Sequence, residues 1–330
     1  MTDPVRWGIL STALINAKVL RGAALTTDVS VVAVGSRDGD RSREFARQWN
    51  IPRAYGSYDE MLADPDVEAV YIPLPNSMHH TWTMRSLEAG KHVLCEKPYS
   101  RHPAEVTAAF DEAARRGLVL SEAFMFRYHP QTKALVKLVK SGQLGRLRLI
   151  SGAFSGPTDN PSDVRLDPGL DGGSLMDVGV YPLSASRLLA GEPIAVTAQQ
   201  VTGATGVDVG FAATLRFDDD VLAHFDSGFH LPDRSYLEVV GDRGRVEVSD
   251  PWHGQQPALT VTMQGAEPVR TEFDPANPYQ LELEQFERAV RGEPNQLLGR
   301  ADAEGQATAI EALYRAADSG ATVRLGEPSR

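Results

Sequence analysis

The 330-residue sequence is poor in the residues on which several protein classes depend. It has one cysteine, Cys95, which excludes an internal disulfide, and no cysteine-histidine group has zinc-site spacing, so no metal site is predicted. Its 33 lysines and arginines are outnumbered by 44 acidic residues, giving a formal charge of −11. Nucleic acids and anionic membranes bind positive surfaces that displace counterions, so neither is expected as a partner.

Long apolar runs are also missing. No stretch reaches the roughly eighteen apolar residues that suggest a membrane span, and the opening MTDPVRWGIL lacks the basic and apolar segments of a signal peptide. We therefore expect a cytoplasmic protein. The chain is longer than a single hydrophobic core usually supports, which predicts two domains.

Short apolar runs alternate with helical patterns between residues 5 and 121. The runs VRWGIL, VSVVAVGS, AVYIPL, HVLC and LVLS have no polar face, which is typical of parallel strands covered by helices on both sides. This predicts an α/β domain over residues 1–123, a doubly wound parallel sheet of the Rossmann type. Such sheets bind ligands beyond the carboxyl ends of their strands, where Ser11, Ser36, Pro75 and Lys97 fall.

From residue 124 onward the pattern changes to period-two alternation. LRLISGAF, FAATLRF, VLAHFDSGF and SYLEVVG are separated by turn signals, which predicts an α+β domain over residues 124–330 with a large, mainly antiparallel sheet. We interpret the acidic runs DDD (218–220) and ELEQFE (282–287) as a turn and a solvated helix face. An apolar sheet face needs cover, so a homodimer or homotetramer is expected.

The turn after the first strand lacks the glycines of a dinucleotide fingerprint. GILSTALIN places Ser11, Ala13 and Asn16 where G-x-G-x-x-G would have glycine. Small residues still admit a pyrophosphate, and the next helix offers free N–H groups. The predicted phosphate loop is therefore Ser11, Thr12, Ala13, Leu14 and Ile15. An ordinary strand-to-helix turn is the alternative.

The end of the second strand bears on the choice of nucleotide. NAD sites place a carboxylate there for the ribose hydroxyls, whereas VAVGSRD supplies Ser36 and Arg37. A hydroxyl and a guanidinium suit a 2′-phosphate, which predicts NADP. Asp38 follows directly and keeps NAD as the second option, and a solvated Arg37 is the alternative.

Five segments together resemble the glucose-fructose oxidoreductase / inositol dehydrogenase family. They are WGILSTALIN, YIPLPNSMH, GKHVLCEKP, EAFMFRYHPQ and GGSLMDVGVY. The likeness covers essentially the whole chain and is greatest to the branch of D-xylose dehydrogenases, dimeric dihydrodiol dehydrogenases and sugar ketoreductases. It implies an NAD(P)-dependent oxidoreductase whose second domain binds a sugar, cyclic polyol or related diol or keto-sugar.

The resemblance also implies roles for single residues. It makes Lys97 the central catalytic residue with Glu96 beside the nicotinamide. Asp177 is implied to contact the substrate or the nicotinamide ribose, and Tyr181, which stands where many relatives have histidine, to contact the substrate. The cofactor-lining positions are Leu74, Pro75, Asn76, His79 and Arg165. A catalytically silent NAD(P)-binding regulatory protein of the same fold is the alternative function.

These residues suit hydride transfer, which needs a base for a hydroxyl proton or, in reverse, an acid for an alkoxide. The Lys97 ammonium can stabilise negative charge on the substrate oxygen, and Tyr181 can exchange its proton. Which residue carries the proton stays open. Asp177 and Tyr181 are four residues apart on one predicted helix face, and Pro182 should kink that helix.

Each of these assignments has a structural alternative. Most lysines after a strand are simply solvated, and an isolated tyrosine on a helix usually packs. Arg127 and His129 of FRYHPQ are predicted to bind sugar hydroxyls, whereas a histidine that hydrogen-bonds backbone is an equal alternative for His129.

Overall fold

A computed structural model describes residues 3–158 and 160–326, which pack into two compact units. The first contains the described residues up to Met125 together with Asn277–Glu304. The second contains the described residues from Phe126 to Ala276 and from Gly305 onward. The sequence predicted a single boundary after residue 123, but a late segment of the chain packs with the first unit.

The helices and strands of the described chain follow one another in this order: β1 (Val5–Leu10), α1 (Asn16–Ala23), β2 (Val29–Gly35), α2 (Gly39–Trp49), β3 (Arg53–Tyr55), α3 (Tyr58–Leu62), β4 (Ala69–Ile72), α4 (His79–Glu88), β5 (His92–Glu96), α5 (Pro103–Arg116), β6 (Leu120–Ala123), α6 (Pro130–Lys140), β7 (Leu147–Ser155), α7 (Val180–Ala190), β8 (Ala195–Thr202), β9 (Asp208–Arg216), β10 (Leu222–Gly228), β11 (Arg234–Gly241), β12 (Gly244–Ser249), β13 (Ala258–Met263), β14 (Val269–Glu272), α8 (Pro278–Val290), α9 (Arg300–Ser319) and β15 (Val323–Arg324). None of the described helices is both long and apolar enough to cross a bilayer.

The first unit is built on a six-stranded sheet in the order β3-β2-β1-β4-β5-β6, and all its strand pairs are parallel. Every residue of β4 is buried, as a strand covered on both faces requires. The strand order reverses direction between β1 and β4, which opens a crevice at the carboxyl ends of these strands. The predicted doubly wound Rossmann domain is confirmed.

Helix α8 explains why the late segment belongs to the first unit. Asn277 caps it by accepting from the N–H groups of residues 279 and 280, and its Phe286 ring packs 4.8 Å from Trp7 of β1. The interpretation of ELEQFE as a solvated face is wrong for Glu282 and Glu287, which are 2% and 0% exposed. Both acids lie on the helix face that packs, because they flank Leu283 and Phe286, which are also buried.

Glu287 is hydrogen-bonded to a residue of the first strand. Its Oε1 accepts a hydrogen bond of 2.6 Å from the indole N–H of Trp7. Burial raises the pKa of Glu287 to about 7, so the group is partly protonated near neutral pH.

The second unit is built on a nine-stranded sheet in the order β14-β13-β12-β11-β7-β10-β9-β8-β15. Only β7 and β10 pair in parallel, and the other neighbours are antiparallel among the described strands. Burial alternates along β9 and β10, so one face is packed and the other is open. The predicted α+β domain with a mainly antiparallel sheet is confirmed.

Candidate active site

The loop after β1 adopts the backbone of a glycine turn without glycine. Ser11 has φ 128°, a region that glycine favours, and it occupies the first glycine place of the fingerprint. The Asn16 side-chain amide donates to the Ser11 carbonyl at 2.8 Å, and the Ala13 N–H donates to Ser11 Oγ at 3.2 Å. The turn is therefore held by its own polar groups.

Helix α1 begins at this turn with no side-chain cap and no acidic residue in its first turn. Its N–H groups and positive dipole end therefore suit an anion. Thr12 and Ile15 lie in the same loop as Leu14, whose side chain is 95% exposed. Residues 11–15 thus fit a dinucleotide pyrophosphate in backbone geometry, although their sequence does not match the fingerprint.

Two neighbours after β2 have different partners. The carboxylate of Asp38 caps α2, accepting from the N–H groups of Asp40 at 2.9 Å and Arg41 at 3.1 Å. Arg37 is exposed, whereas Ser36 is buried and accepts from the Asp38 N–H at 3.3 Å. One oxygen of the exposed Asp38 carboxylate thus caps the helix, and Arg37 supplies an exposed guanidinium suited to a 2′-phosphate.

Arg37 also interacts with its own unit. Burial raises the pKa of the Tyr58 hydroxyl, and a hydrogen bond from Arg37 opposes that rise. The guanidinium therefore lies next to the first residue of α3, a short helix that the sequence pattern did not predict.

The loop after β4 carries Leu74 and Pro75, and a short 3₁₀ turn follows from Asn76 to Met78. His79 opens α4 with a fully buried ring. Its Nε2 lies 2.8 Å from the carbonyl oxygen of Leu74 and its Nδ1 lies 2.8 Å from that of Pro98. The buried His79 ring therefore links the loop after β4 to the loop after β5.

Both ring nitrogens of His79 lie against backbone carbonyl oxygens, which can only accept hydrogen bonds. Burial lowers the pKa of His79, and the charge of Lys97 adds to this, so the ring is neutral near pH 7. A neutral imidazole has one N–H, so one of the two carbonyls meets a nitrogen lone pair. We conclude that His79 supports the position of the loops, and the sequence pattern gave no sign of this burial.

Glu96 ends β5, and Lys97 follows it at the carboxyl edge of the sheet. The Tyr71 hydroxyl donates to Glu96 Oε1 at 2.5 Å, and the Lys97 backbone N–H donates to Glu96 Oε2 at 3.2 Å. The Lys97–Pro98 peptide is cis. The half-buried Lys97 thus lies beyond the strand, where burial costs an ammonium less than in the strand interior.

In the second unit, Tyr181 is the second residue of α7 and follows a π-helical turn over Leu175–Gly179. Its side chain is 8% exposed. The ring centroid lies 5.3 Å from that of Phe154, 5.7 Å from Phe126 and 6.0 Å from Trp252. Tyr181 is therefore held in an aromatic cluster with fixed packing.

The π-helical turn has a local cause. Pro182 has no N–H, and its ring would clash with the carbonyl of Val178 in a regular helix. The wider turn avoids this, with the N–H of Val180 donating five residues back to Leu175. Gly152 of β7 allows the helix to approach, since a Cβ there would lie 2.7 Å from Pro182 Cβ. The predicted kink thus takes the form of a π-helical turn.

Asp208 caps this turn, and sequence reasoning missed it. Its Oδ2 accepts from Ser174 Oγ and from the Leu175 N–H, both at 2.8 Å, and its Oδ1 accepts from the Tyr314 hydroxyl at 2.9 Å. Burial raises the pKa of Asp208. Gly173, at φ 128°, leaves room for the carboxylate, because a Cβ at this position would overlap Asp208 Oδ1. The Gly-Gly pair was the only signal in the sequence.

Asp177 lies in the same π-helical turn and is paired with Arg165. Arg165 Nη1 is 3.4 Å from Asp177 Oδ2, and its Nη2 is 2.7 Å from Asp163, whose pKa it lowers. The Arg165 carbonyl accepts from the Gly173 N–H at 2.9 Å and leaves no space for a side chain on Gly172. One continuous segment of the second unit therefore carries Arg165, Asp177 and Tyr181.

Arg127 and His129 have local structural partners. Arg127 Nη1 donates to Ser184 Oγ on α7 at 2.8 Å. The buried His129 caps α6, its Nδ1 accepting from the Gln131 N–H at 3.1 Å. For His129 the backbone hydrogen bond expected as an alternative is present.

Both units match known families. Residues 5–124 match the model described as "Oxidoreductase family, NAD-binding Rossmann fold", and residues 132–247 match "GFO/IDH/MocA C-terminal domain". The D-xylose 1-dehydrogenase (NADP(+)) 2 of Haloferax volcanii is 38% identical over 324 residues, which cover 97% of this chain and 99% of that protein. This chain belongs to the GFO/IDH/MocA oxidoreductase family.

Further known proteins are similar over large parts of the chain. The trans-1,2-dihydrobenzene-1,2-diol dehydrogenase of Sus scrofa is 36% identical over 252 residues, 75% of each chain. The crystal structure of a 3-ketoreductase from Actinomadura kijaniata in complex with NADP and TDP-benzene has a TM-score of 0.89 at 28% identity, covering 95% of this chain and 98% of that one. The predicted family, its branch and the oxidoreductase class with an NAD(P)-binding Rossmann domain are confirmed.

Proposed function

We propose that this oxidoreductase transfers a hydride between NADP(H) and a carbon that alternates between CH–OH and carbonyl in a sugar, cyclic polyol or related diol or keto-sugar. The NADP assignment is supported by the exposed Arg37 beside an Asp38 that caps α2. The names of the xylose dehydrogenase and of the NADP-bound ketoreductase support both the cofactor and the substrate class.

One observation carries the proposed roles of Lys97 and Tyr181. Solved structures of the Actinomadura ketoreductase include variants with one lysine changed to alanine or glutamate and one tyrosine changed to phenylalanine. Those two positions are 84 residues apart, and Lys97 and Tyr181 are separated by the same 181 − 97 = 84 positions. The equal spacing supports catalytic roles for the same pair in this chain.

NADP, when bound, supplies a nicotinamide ring that accepts or donates the hydride. We assign to the Lys97 ammonium a hydrogen bond to the substrate oxygen, where it stabilises negative charge. During oxidation the hydroxyl proton passes through Tyr181 to solvent as the C–H electron pair leaves as hydride. During reduction a proton returns to the new alkoxide by the same route. Asp177, oriented by Arg165, binds a substrate hydroxyl or the nicotinamide ribose.

The test follows the absorbance of NADPH during turnover with aldoses, ketoses and cyclic diols, in both directions. With an active substrate, Lys97→Ala should retain NADPH binding and lose turnover by about 100-fold or more, because positioned acid-base and oxyanion groups contribute at least this much. Tyr181→Phe should also lose turnover. The control is Lys137→Ala, which changes an exposed lysine on α6. Unchanged turnover in Lys97→Ala would remove lysine from the mechanism.

Oxidation of an aldose at C1 and reduction of a keto-sugar both fit this proposal, and the substrate panel separates them. The alternative of a silent regulatory protein has no support among the relatives named above. We further propose a homodimer or homotetramer, because one face of the nine-stranded sheet is open. We also propose a cytoplasmic location. Light scattering at several protein concentrations measures the oligomeric state.

A further inference from the structure

The loop that carries Lys97 is anchored by the two residues that follow the lysine. Pro98 and Tyr99 are both buried, whereas Lys97 itself is half-buried. The Tyr99 N–H donates to Glu122 Oε1 on β6 at 2.8 Å, and the Pro98 carbonyl oxygen lies 2.8 Å from His79 Nδ1 on α4. The backbone after Lys97 therefore contacts both a strand and a helix of the first unit.

The Tyr99 side chain makes a further contact with α4. The side chain is 2% exposed, and its hydroxyl oxygen lies 3.1 Å from Nδ1 of the half-buried His80, the second residue of the helix. The two rings meet edge to face, with centroids 6.3 Å apart. A buried phenol needs a polar partner for its hydroxyl group, and the imidazole nitrogen of His80 supplies one. Burial also raises the pKa of Tyr99 well above its ordinary value, so the hydroxyl keeps its proton.

We propose that Tyr99 and His80 are positioning residues for Lys97, acting through the hydrogen bond between the phenol and the imidazole. A neutral His79 has one N–H to share between two carbonyl oxygens, so the bond between Tyr99 and His80 is needed to hold the loop against α4. Pro98 between Lys97 and Tyr99 has a fixed φ angle, so a shift of Tyr99 also moves the lysine backbone. A small displacement of a catalytic group has a large effect on rate. This inference depends on the function proposed for Lys97.

The first part of the test removes only the hydroxyl group. Tyr99→Phe should lower kcat by about three- to tenfold, the range that one neutral hydrogen bond contributes, while the KM for NADPH is kept. The matched control is Tyr55→Phe. Tyr55 is half-buried on β3, at the edge of the same sheet, and its hydroxyl donates to Asp64 Oδ2 at 2.8 Å. This control should leave kcat unchanged, although it removes a hydrogen bond of the same kind.

The second part of the test changes the partner of the hydroxyl. His80→Ala should lower kcat as much as Tyr99→Phe, and the double variant should lose no more than either single variant, because both changes remove the same hydrogen bond. His80→Asn should restore most of the activity lost in His80→Ala, since the asparagine amide can occupy the place of the histidine Nδ1. A bond that served only stability would change the melting temperature and leave kcat at the wild-type value.

Amide hydrogen exchange, measured without substrate, gives a readout that does not depend on activity. Residues 97–102 should exchange faster in Tyr99→Phe and His80→Ala than in the wild type, whereas His80→Asn and Tyr55→Phe should match the wild type. The inference is overturned if Tyr99→Phe keeps the wild-type kcat, if the two losses multiply in the double variant, if His80→Asn is as impaired as His80→Ala, or if exchange in the loop does not change.

The proposed function and this inference can fail separately. Full turnover in Lys97→Ala would remove the proposed role of the lysine and, with it, this inference. An inactive Lys97→Ala together with a fully active Tyr99→Phe would remove only the positioning role of Tyr99 and His80.

Discussion

At the level of single residues, Arg37 and Asp38 are adjacent in sequence and differ in their contacts. Arg37 and Asp38 both follow β2 and both could serve a ribose, but Asp38 accepts two backbone hydrogen bonds at the start of α2. We therefore expect the helix cap as well as the guanidinium to influence which nucleotide binds.

The first prediction concerns this preference. Arg37→Ala should raise the KM for NADPH roughly 10- to 100-fold, because hydrogen bonds to charged groups contribute about 1.5–3 kcal/mol. The KM for NADH should change little, since NADH has no 2′-phosphate. Steady-state kinetics with both cofactors measure the difference. An equal loss with both would show that Arg37 does not distinguish them.

The second prediction concerns Glu287, whose pKa burial raises from 4.5 to about 7. Between these values the unfolded chain has released this proton and the folded chain retains it, so stability falls as pH rises through the window. The loss is on the order of 3 kcal/mol by pH 7 and above. Glu287→Gln still accepts from Trp7 but cannot ionise, so its melting temperature should rise relative to wild type between about pH 5 and pH 7. Glu284→Gln should follow the wild type, and a constant difference between Glu287→Gln and wild type would contradict the prediction.

At the level of elements, the segment from Arg165 to α7 is shaped by contacts distant in sequence. Asp208 caps the π-helical turn, and Gly152 gives Pro182 the space it needs. Asp177 and Tyr181 are therefore oriented by strands β9 and β7 as well as by their own helix.

The third prediction tests this cap. Gly173→Ala should destabilise the protein by about 2–4 kcal/mol and reduce turnover, because it adds left-handed strain and overlaps the Asp208 carboxylate. Gly191→Ala is the matched control at the end of α7, where φ is 83° and a Cβ would meet open space. It should cost only about 1–2 kcal/mol and leave turnover unchanged. Thermal melts and kinetics of both variants measure the difference, and equal effects would show that the overlap is unimportant.

Sequence patterns predicted the elements with strong local signals. Helix α5 has strong boundary signals of this kind, because Pro103 sits in its first turn and Gly117 closes it in the left-handed conformation. Strand β3 and helix α3 were missed because three and five residues are too short for a periodic signal.

Sequence alone could predict the position of a polar side chain that lies just after a strand, as Lys97 and Arg37 do, and their roles stay predictions. The contacts of Asp208 and His79 join residues that are apart in sequence, and no local pattern records them. Glu282 was misinterpreted because a charged residue on a helix is usually solvated. The burial of such an acid is decided by what packs on its face, which in α8 includes Leu283 and Phe286.

At the level of the whole molecule, the first unit is discontinuous in sequence. It needs Asn277–Glu304, whose Phe286 and Glu287 cover Trp7 of β1. A boundary drawn after residue 123 would therefore divide one hydrophobic core.

The fourth prediction follows from this division. A fragment of residues 1–125 should be aggregation-prone and bind NADPH weakly, because Trp7 loses its cover. The same fragment joined by a flexible linker to residues 277–304 should be soluble and should bind the nucleotide. Size-exclusion chromatography and fluorescence titration compare the two. Equal solubility and affinity would show that the late segment is dispensable.

The chain passes from one unit to the other after residues 125, 276 and 304. A gene fusion that replaces the second half of the chain by that of a relative through a single crossover would pair a foreign α8 with the resident β1. Chimaeras of two homologues should therefore fold and work mainly when both segments of the first unit, the residues up to 125 and residues 277–304, come from the same parent.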